Sequence, residues 1–409
     1  MNKNLKKVLA VILIAVIALS LVACGSNGKT SKGKTKIRFA TWDDAETLEF
    51  QQKMVDKFNA QSDTIEVIIE SYGDNYDTKI TASMGSKDAP DVMYMWNYPK
   101  YAEGLLPLDD LIKSEGTDYK ANFYEALWNY NSINGVILGI PVGYTTHVVY
   151  YNKDLFDQTG IAYPSADWTW EDLRNAAEKL SNPAEKVYGI AFPIQPDPYD
   201  YEMFAWSNGG AYVDAQGNAA GVLDSDKTAA PFQFFQDMLK AGIAIGTDDY
   251  GSESFSTGKV GMFMNGAWSI DKLQKAGLNF GVQVLPRFDK SIPSASILSS
   301  SGVAISKTTA NKEAAWEFVK FWTSEELNKE RIGYELPVLK SVAGSEKLTS
   351  HEIYSKFYAM LDQSSQYMPA SFISKDWSNL SDKINLALEK ILNSDSFTNA
   401  QEALREAAK

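Results

Sequence analysis

Apolar residues recur along the chain in two rhythms that trade places. Ile37, Phe39 and Thr41 alternate with Lys36, Arg38 and Ala40, and a period of two predicts a short strand that ends at Trp42-Asp43-Asp44. Gln51, Met54, Val55 and Phe58 then fall at the i, i+3, i+4, i+7 spacing of one helix face. Alternation returns at Ile65, Val67 and Ile69, a helix is predicted over Asp77 to Met84, and Pro90 to Met95 has the composition of a buried strand. A helix around Leu108 to Ile112 follows. Strand and helix in turn imply a largely parallel sheet with helices on both faces.

The middle and end repeat the style. Thr169-Trp170-Glu171-Asp172 has the form of a capping box, with Leu173, Ala176, Ala177 and Leu180 as the face behind it and Asn182-Pro183 as the stop. Strands are predicted over Val187 to Phe192 and Val260 to Met264, and helices over Phe232 to Leu239, Ala314 to Trp322 and Leu380 to Ile391. Val148 to Asn152, with its paired Tyr150-Tyr151, reads as a core strand, and His147 as a packed residue beside it. There is no internal repeat and no long linker, so two α/β units must be close neighbours, with several chain crossings between them.

One stretch obeys neither rhythm. Lys3, Lys6 and Lys7 precede a nearly unbroken apolar run from Val8 to Val22, the charged and apolar regions of an export signal. It ends in Leu21-Val22-Ala23-Cys24-Gly25, which resembles the site cut by the bacterial lipoprotein signal peptidase. That resemblance implies a signal peptide over 1–23 and a lipid, such as palmitate, on Cys24; the plainer alternative is a secretory signal with an incidental cysteine. Residues 24–34 are rich in Gly, Ser and Lys, a flexible tether.

Composition narrows the function. The 409 residues are 44% apolar and 12% aromatic, enough for a substantial core. A net charge of −13 argues against nucleic acid and anionic lipid as partners. The one cysteine rules out an intramolecular disulfide, and two histidines, His147 and His351, are too few for a histidine metal cluster. No GxSxG elbow or GxGxxG turn occurs. Asp43, Asp44 and Asp197 are candidates for a glycosidase carboxylate pair, and Asp248-Asp249 with Asp197 to Asp200 for a calcium loop, on composition alone.

A series of motifs carries a resemblance over residues 35–409. They are Ala89-Pro90-Asp91-Val92, Gly104-Leu105-Leu106-Pro107-Leu108, Gly139-Ile140-Pro141-Val142-Gly143 and Tyr150-Tyr151-Asn152-Lys153-Asp154-Leu155-Phe156. Trp168 to Leu173, Asn208-Gly209-Gly210, Phe255 to Met262, Asn265-Gly266-Ala267-Trp268, Ala314 to Glu326 and Leu336-Pro337 follow in order. Together they resemble family 1 of the extracellular solute-binding proteins, the sugar- and maltose-binding class of ABC importers. The resemblance implies an α/β, two-lobe type II periplasmic-binding-protein fold with a ligand cleft. It implies three crossings, placed near Gly143, Ser294 to Ser299 and Val338 to Ser350. The lobes are then expected at 35–143 plus 300–340 and at 144–299 plus 341–409.

A sugar presents hydroxyls at its edge and apolar C–H faces above and below, so its site needs flat aromatics and planar polar groups. By resemblance Trp268 and Trp377 stack on sugar rings, and Tyr199 is a cleft tyrosine with Asp197 beside it. Trp42 and Asp43, with Asp44 as the alternative, stand at a strand end, where open α/β sheets bind ligands. Trp96, Asn97 and Tyr98 stand at another. Trp206 and Asn208, Tyr144 at the first crossing and Ser300 at the second complete the candidates. Any of these also has a plain packing role open to it. The expectation is a monomeric, extracytoplasmic, lipid-anchored binding protein, without enzymatic activity, metal or cofactor. It takes a di- or oligosaccharide and hands it to an ABC permease. Alternatives are another polar solute such as a glycerophosphodiester, a sensor for a signalling partner, or a surface hydrolase.

Overall fold

The computed structural model describes residues 33–409 except 85, 87, 334 and 394–396. The export signal, Cys24 and most of the tether lie outside the described residues. Thirteen strands follow in chain order: β1 Thr35–Thr41, β2 Ile65–Ser71, β3 Val92–Met95, β4 Ser132–Ile133, β5 Val136–Ile137, β6 Ile140–Thr146 and β7 Val148–Asn152. Then come β8 Tyr188–Pro193, β9 Ala244–Thr247, β10 Val260–Asn265, β11 Phe280–Gln283, β12 Leu298–Ile305 and β13 Leu336–Pro337.

Two mixed sheets organise them, one ordered β13-β6-β12-β3-β1-β2 and the other β11-β7-β10-β8-β9, and β4 and β5 form a small hairpin. The parallel pairs are those expected of βαβ units, β1 with β2 and β3, and β8 with β9 and β10. The expectation of largely parallel sheets needs correcting at the other positions. β12 runs antiparallel to β3 and β6, β13 to β6, and β7 to β10 and β11. Of these strands, β7 and β12 enter their sheets directly from the other lobe, with no helical crossover to turn them parallel.

β6 runs into β7 with only His147 between, so the chain leaves one sheet for the other in a single residue. The first sheet keeps the chain to Thr146, past the expected change at Gly143, and takes it back at Leu298. The helix Tyr354–Ser364 braces both passages: the Thr146 hydroxyl donates to Phe357 O at 3.0 Å, and Ser296 N donates to the Ser364 hydroxyl at 2.8 Å.

The periodic segments bury the faces their spacing marked out. Met54, Val55 and Phe58 of the helix Ala45–Gln61 are buried, as are Ala315, Phe318, Val319 and Trp322 of the helix Lys312–Trp322. Phe39 sits among Tyr94, Phe318 and Trp322, with ring centroids 5.6, 5.1 and 4.8 Å away. The second lobe centres on Trp170, which stacks on Phe288 at 5.2 Å and meets Phe235 edge-on at 5.0 Å. Thr169 and Asp172 exchange both bonds of the capping box.

Candidate functional site

The carboxyl ends of the parallel strands of both sheets converge on one cleft of about 610 Å3. β1 delivers Trp42, β3 delivers Trp96 and Asn97, and β10 delivers Ala267 and Trp268. The loop after β8 delivers Asp197, Pro198 and Tyr199. The crossing strands form the back wall with Tyr144, Thr145 and Ser299 to Ser301. The helix Trp377–Leu392 adds Trp377, Ser381 and Asn385, at i, i+4 and i+8 on one face, together with Asp382.

The indoles are placed in different ways. Trp42 is half-buried, wedged edge-on against Tyr76 at 5.3 Å and tilted on Tyr94 at 5.0 Å. Trp96 is 51% exposed and Trp268 52% exposed, unusual for rings that size in a cleft wall. The Trp268 ring packs against Gly266, where a Cβ would come within 2.5 Å of it, so only glycine permits that seating. The turn beneath is fixed from two sides: Ala267 N donates to the Thr145 hydroxyl at 2.8 Å, and the Tyr150 hydroxyl donates to Gly266 O at 2.6 Å. On the far edge, His147 meets Trp268 edge-on at 5.7 Å. Burial depresses the His147 pKa to about 4, so its ring is neutral.

The polar groups are carboxylates, hydroxyls and amides. Burial pushes Asp200 up to about 6, and burial in the cleft wall, with Asp200 beside it, raises Asp197. Glu335 is raised by burial, an effect that Arg331 and a 2.7 Å bond from the Ser301 hydroxyl oppose. Among the described lining residues none is Lys or Arg. The Ser371 hydroxyl is buried and finds no hydrogen-bond partner among the described residues, whereas Tyr144 faces Tyr358, with ring centroids 5.7 Å apart. Tyr199 is committed already, its hydroxyl donating to Leu298 O at 2.9 Å.

Of the residues expected here, the structure brings Trp268, Trp377, Tyr199, Trp42, Asn97, Tyr144 and Ser300 to the cleft. Five others it does not. Asp44 and Tyr98 are absent from the lining, Tyr98 being buried with its hydroxyl donating to Asn131 Oδ1 at 2.6 Å. The remaining three have other roles. Asp43 serves the strand-to-helix joint, its carboxylate accepting from the Thr41 hydroxyl at 3.0 Å and from the Gln51 amide. Trp206 is 3% exposed and stacks on Tyr367 at 5.1 Å, and Asn208 donates to Lys227 O at 2.8 Å. Both fall at the far end of the helix Pro198–Ser207, whose start touches the cleft; at 1.5 Å per residue that end is ~14 Å away. Tyr130, Glu335, Ser371, Phe372, Ser381, Asp382 and Asn385 were missed. Only the spacing of Ser381 and Asn385 after Trp377 offered a signal. No helix among the described residues is long and apolar enough to cross a membrane, and no group of three or more His, Cys, Asp or Glu among them is placed to hold a metal ion.

Residues 53–355 match the family model described as bacterial extracellular solute-binding protein. A maltotriose-binding protein of Pyrococcus abyssi is 28% identical over 343 residues, covering 77% of this chain and 70% of that protein. Among solved structures, an ABC substrate-binding protein of Listeria monocytogenes in complex with cycloalternan superposes with a TM-score of 0.78 at 26% identity, over 92% of this chain and 97% of that one. A Mycobacterium tuberculosis protein in complex with glycerophosphocholine shares the fold with a TM-score of 0.77 at 20% identity, over 92% and 97%.

Proposed function

The chain belongs to the bacterial extracellular solute-binding proteins, and from that premise we propose that it captures a neutral di- or oligosaccharide and delivers it to an ABC permease. The observation that carries this reading is the chemistry of the cleft: four indoles, Trp42, Trp96, Trp268 and Trp377, stand among hydroxyls, amides and carboxylates, with no cationic lining side chain among the described residues. Flat rings cover the C–H faces of a sugar, and carboxylates and amides take its hydroxyl protons. A cleft of about 610 Å3 falls in the roughly 300–1,000 Å3 range of small-molecule sites. A glycerophosphodiester would instead bring a phosphate among Asp197, Asp200, Glu335 and Asp382 with no Arg or Lys to meet it.

The mechanism follows from the crossings. A ligand that touches both lobes favours the closed arrangement by its differential contacts, and rotation about the passages at His147 and before Leu298 brings the walls together. The permease then distinguishes loaded from empty protein by shape. We read the site as one of capture and not of hydrolysis. The family works outside the cytoplasm. We further propose that Cys24 is lipidated after removal of 1–23 and tethers a monomer to the membrane. Incorporation of labelled palmitate into the wild type, absent from Cys24→Ala, tests the anchor.

The test of capture is tryptophan fluorescence of the 25–409 body titrated with oligosaccharides, amino acids, phosphodiesters and metal ions. A saturable change for a sugar, lost in Trp268→Ala and with no product formed, is the expected result. A response to phosphodiesters or amino acids alone, with sugars silent, overturns the carbohydrate reading.

A further inference from the structure

The cleft does not end at its own wall. Phe372 lines it on one side, and on the other side lines a second groove of about 290 Å3, about half the size of the first. The ring of Phe372 meets Tyr130, which lines the cleft, edge-on at 5.5 Å. Beyond Phe372 lie Trp128, Asn129, Ser132, Asn134 and Met368. The groove is built from both lobes. Its Met368–Phe372 wall is tied to the second by Ala370 N, which donates to the buried Glu202 carboxylate at 2.8 Å. The opposite wall is tied to the first sheet through Asn131, whose amide donates to the Ser300 hydroxyl at 3.1 Å.

The groove shares amides and hydroxyls with the cleft and adds one cation, Lys120, where the described lining of the cleft has none. Asn129 and Asn134 are exposed, and their amides make no hydrogen bond to any described residue. Asn134 and Gly135 take positive φ values of 52° and 79°, so the β4–β5 hairpin turns tightly and presents its polar tip at the groove. Trp128 lines the groove while only 5% exposed, its ring packed on Phe123 at 4.9 Å and lying under Lys120, whose Nζ is 5.5 Å from the centroid. Free amides, a hydroxyl and one cation, in a groove that shares Phe372 with the cleft, are groups able to meet the hydroxyls of further sugar units.

Resting on the reading of the cleft as a saccharide site, we propose that the ligand is a linear oligosaccharide of three or more units, whose distal end passes Phe372 and occupies the Asn129–Asn134 groove. Lobe closure then grips the chain at two places.

The experiment is isothermal titration of the 25–409 body with three homologous series, α-1,4-glucans, β-1,4-galactans and α-1,5-arabinans, each from two to six units. In the series that binds, the tetramer is expected to bind at least tenfold tighter than the dimer. Asn129→Trp, which fills the groove from an exposed helix position, should bring the tetramer to within about twofold of the dimer and leave the dimer unchanged. Asn129→Ala should cost the tetramer a few-fold and the dimer nothing, a check independent of any misfolding caused by the bulky ring. Equal affinity from two units upward in the wild type, or a length preference that survives Asn129→Trp, overturns the extended subsite while leaving saccharide capture standing. Absence of binding in all three series removes both.

Discussion

Replacing Gly266 by alanine tests how the cleft holds its ligand without touching a ligand-facing side chain. The added Cβ would stand 2.5 Å from the Trp268 ring, and ordinary contact begins near 3.4 Å, so the indole must retreat by roughly 0.9 Å. The ring is 52% exposed, so it can swing toward solvent at small cost to the fold. The cost to binding is larger. A tryptophan presents up to about 250 Å2, so the exposed part is ~130 Å2 and its cleft-facing side roughly 65 Å2. Covered by an equal area of sugar, this gives ~130 Å2 removed from water, about 3 kcal/mol at 25 cal/mol per Å2. That is a ceiling of roughly 100-fold in affinity, reduced by the cost of ordering the bound sugar. Trp268→Ala should therefore weaken binding by about 10- to 100-fold, and Gly266→Ala by about 3- to 30-fold, with Tm within about 2 °C of wild type. Calorimetric titration and thermal unfolding of both variants measure these quantities. Wild-type affinity in Gly266→Ala alongside a loss in Trp268→Ala would show that glycine does not set the ring's position; wild-type affinity in both would refute the stacking platform.

Three further outcomes follow from buried or capping groups. Asp200 is pushed up to about 6, and a sugar hydroxyl donating to it favours the anion; affinity measured from pH 5 to 8 should fall on acidification below 6, and Asp200→Asn should flatten the profile. Burial takes Glu202 from its ordinary 4.5 to about 8, so between those values the native protein keeps a proton that the unfolded chain has released. Stability should decline as pH rises from about 4.5 through 8, and Glu202→Gln should remove that decline, melting above wild type at pH 9. Thr169→Ala removes one half of a capping box and should cost about 1 kcal/mol, read as a fall in Tm of roughly 2 °C with unchanged affinity.

The elements most legible in the sequence were those whose burial is one-sided. Val55 and Phe58 follow the helix period because water lies opposite the face they bury, and Ile37 stands out in its strand because Lys36 is exposed and Arg38 half-buried beside it. β12 escaped because Leu298-Ser299-Ser300-Ser301-Gly302 has no such alternation: it lies between two strands of its sheet and its serines face the cleft or bond within it, Ser301 to Glu335. β13, two residues long, has no pattern to read. At the site, Trp42, Trp96 and Asn97 were accessible to reasoning because each follows the carboxyl end of a strand, and Trp268 through the resemblance carried by Asn265-Gly266-Ala267-Trp268. Trp206 and Asn208, chosen for their place before Gly209-Gly210, misled because the helix Pro198–Ser207 that carries the chain to them leads away from the cleft. Tyr130, Glu335 and Phe372 meet there only through packing between segments far apart in the chain, which no local pattern encodes.

The threading of β6 has a consequence for how and where this molecule can fold. Both its neighbours in the sheet, β12 and β13, come later in the chain, and the first of them begins at residue 298 of 409, about three-quarters of the way along. Until then a strand whose seven residues all end up buried has no partner to pair with. Contacts of such sequence separation form slowly, because the intervening chain must be ordered before they stabilise anything. A chain cut before residue 298 should keep β6 as a bare apolar edge and aggregate. For a protein that works outside the cytoplasm the delay is useful: until the last quarter of the chain is made, the first sheet cannot close around β6.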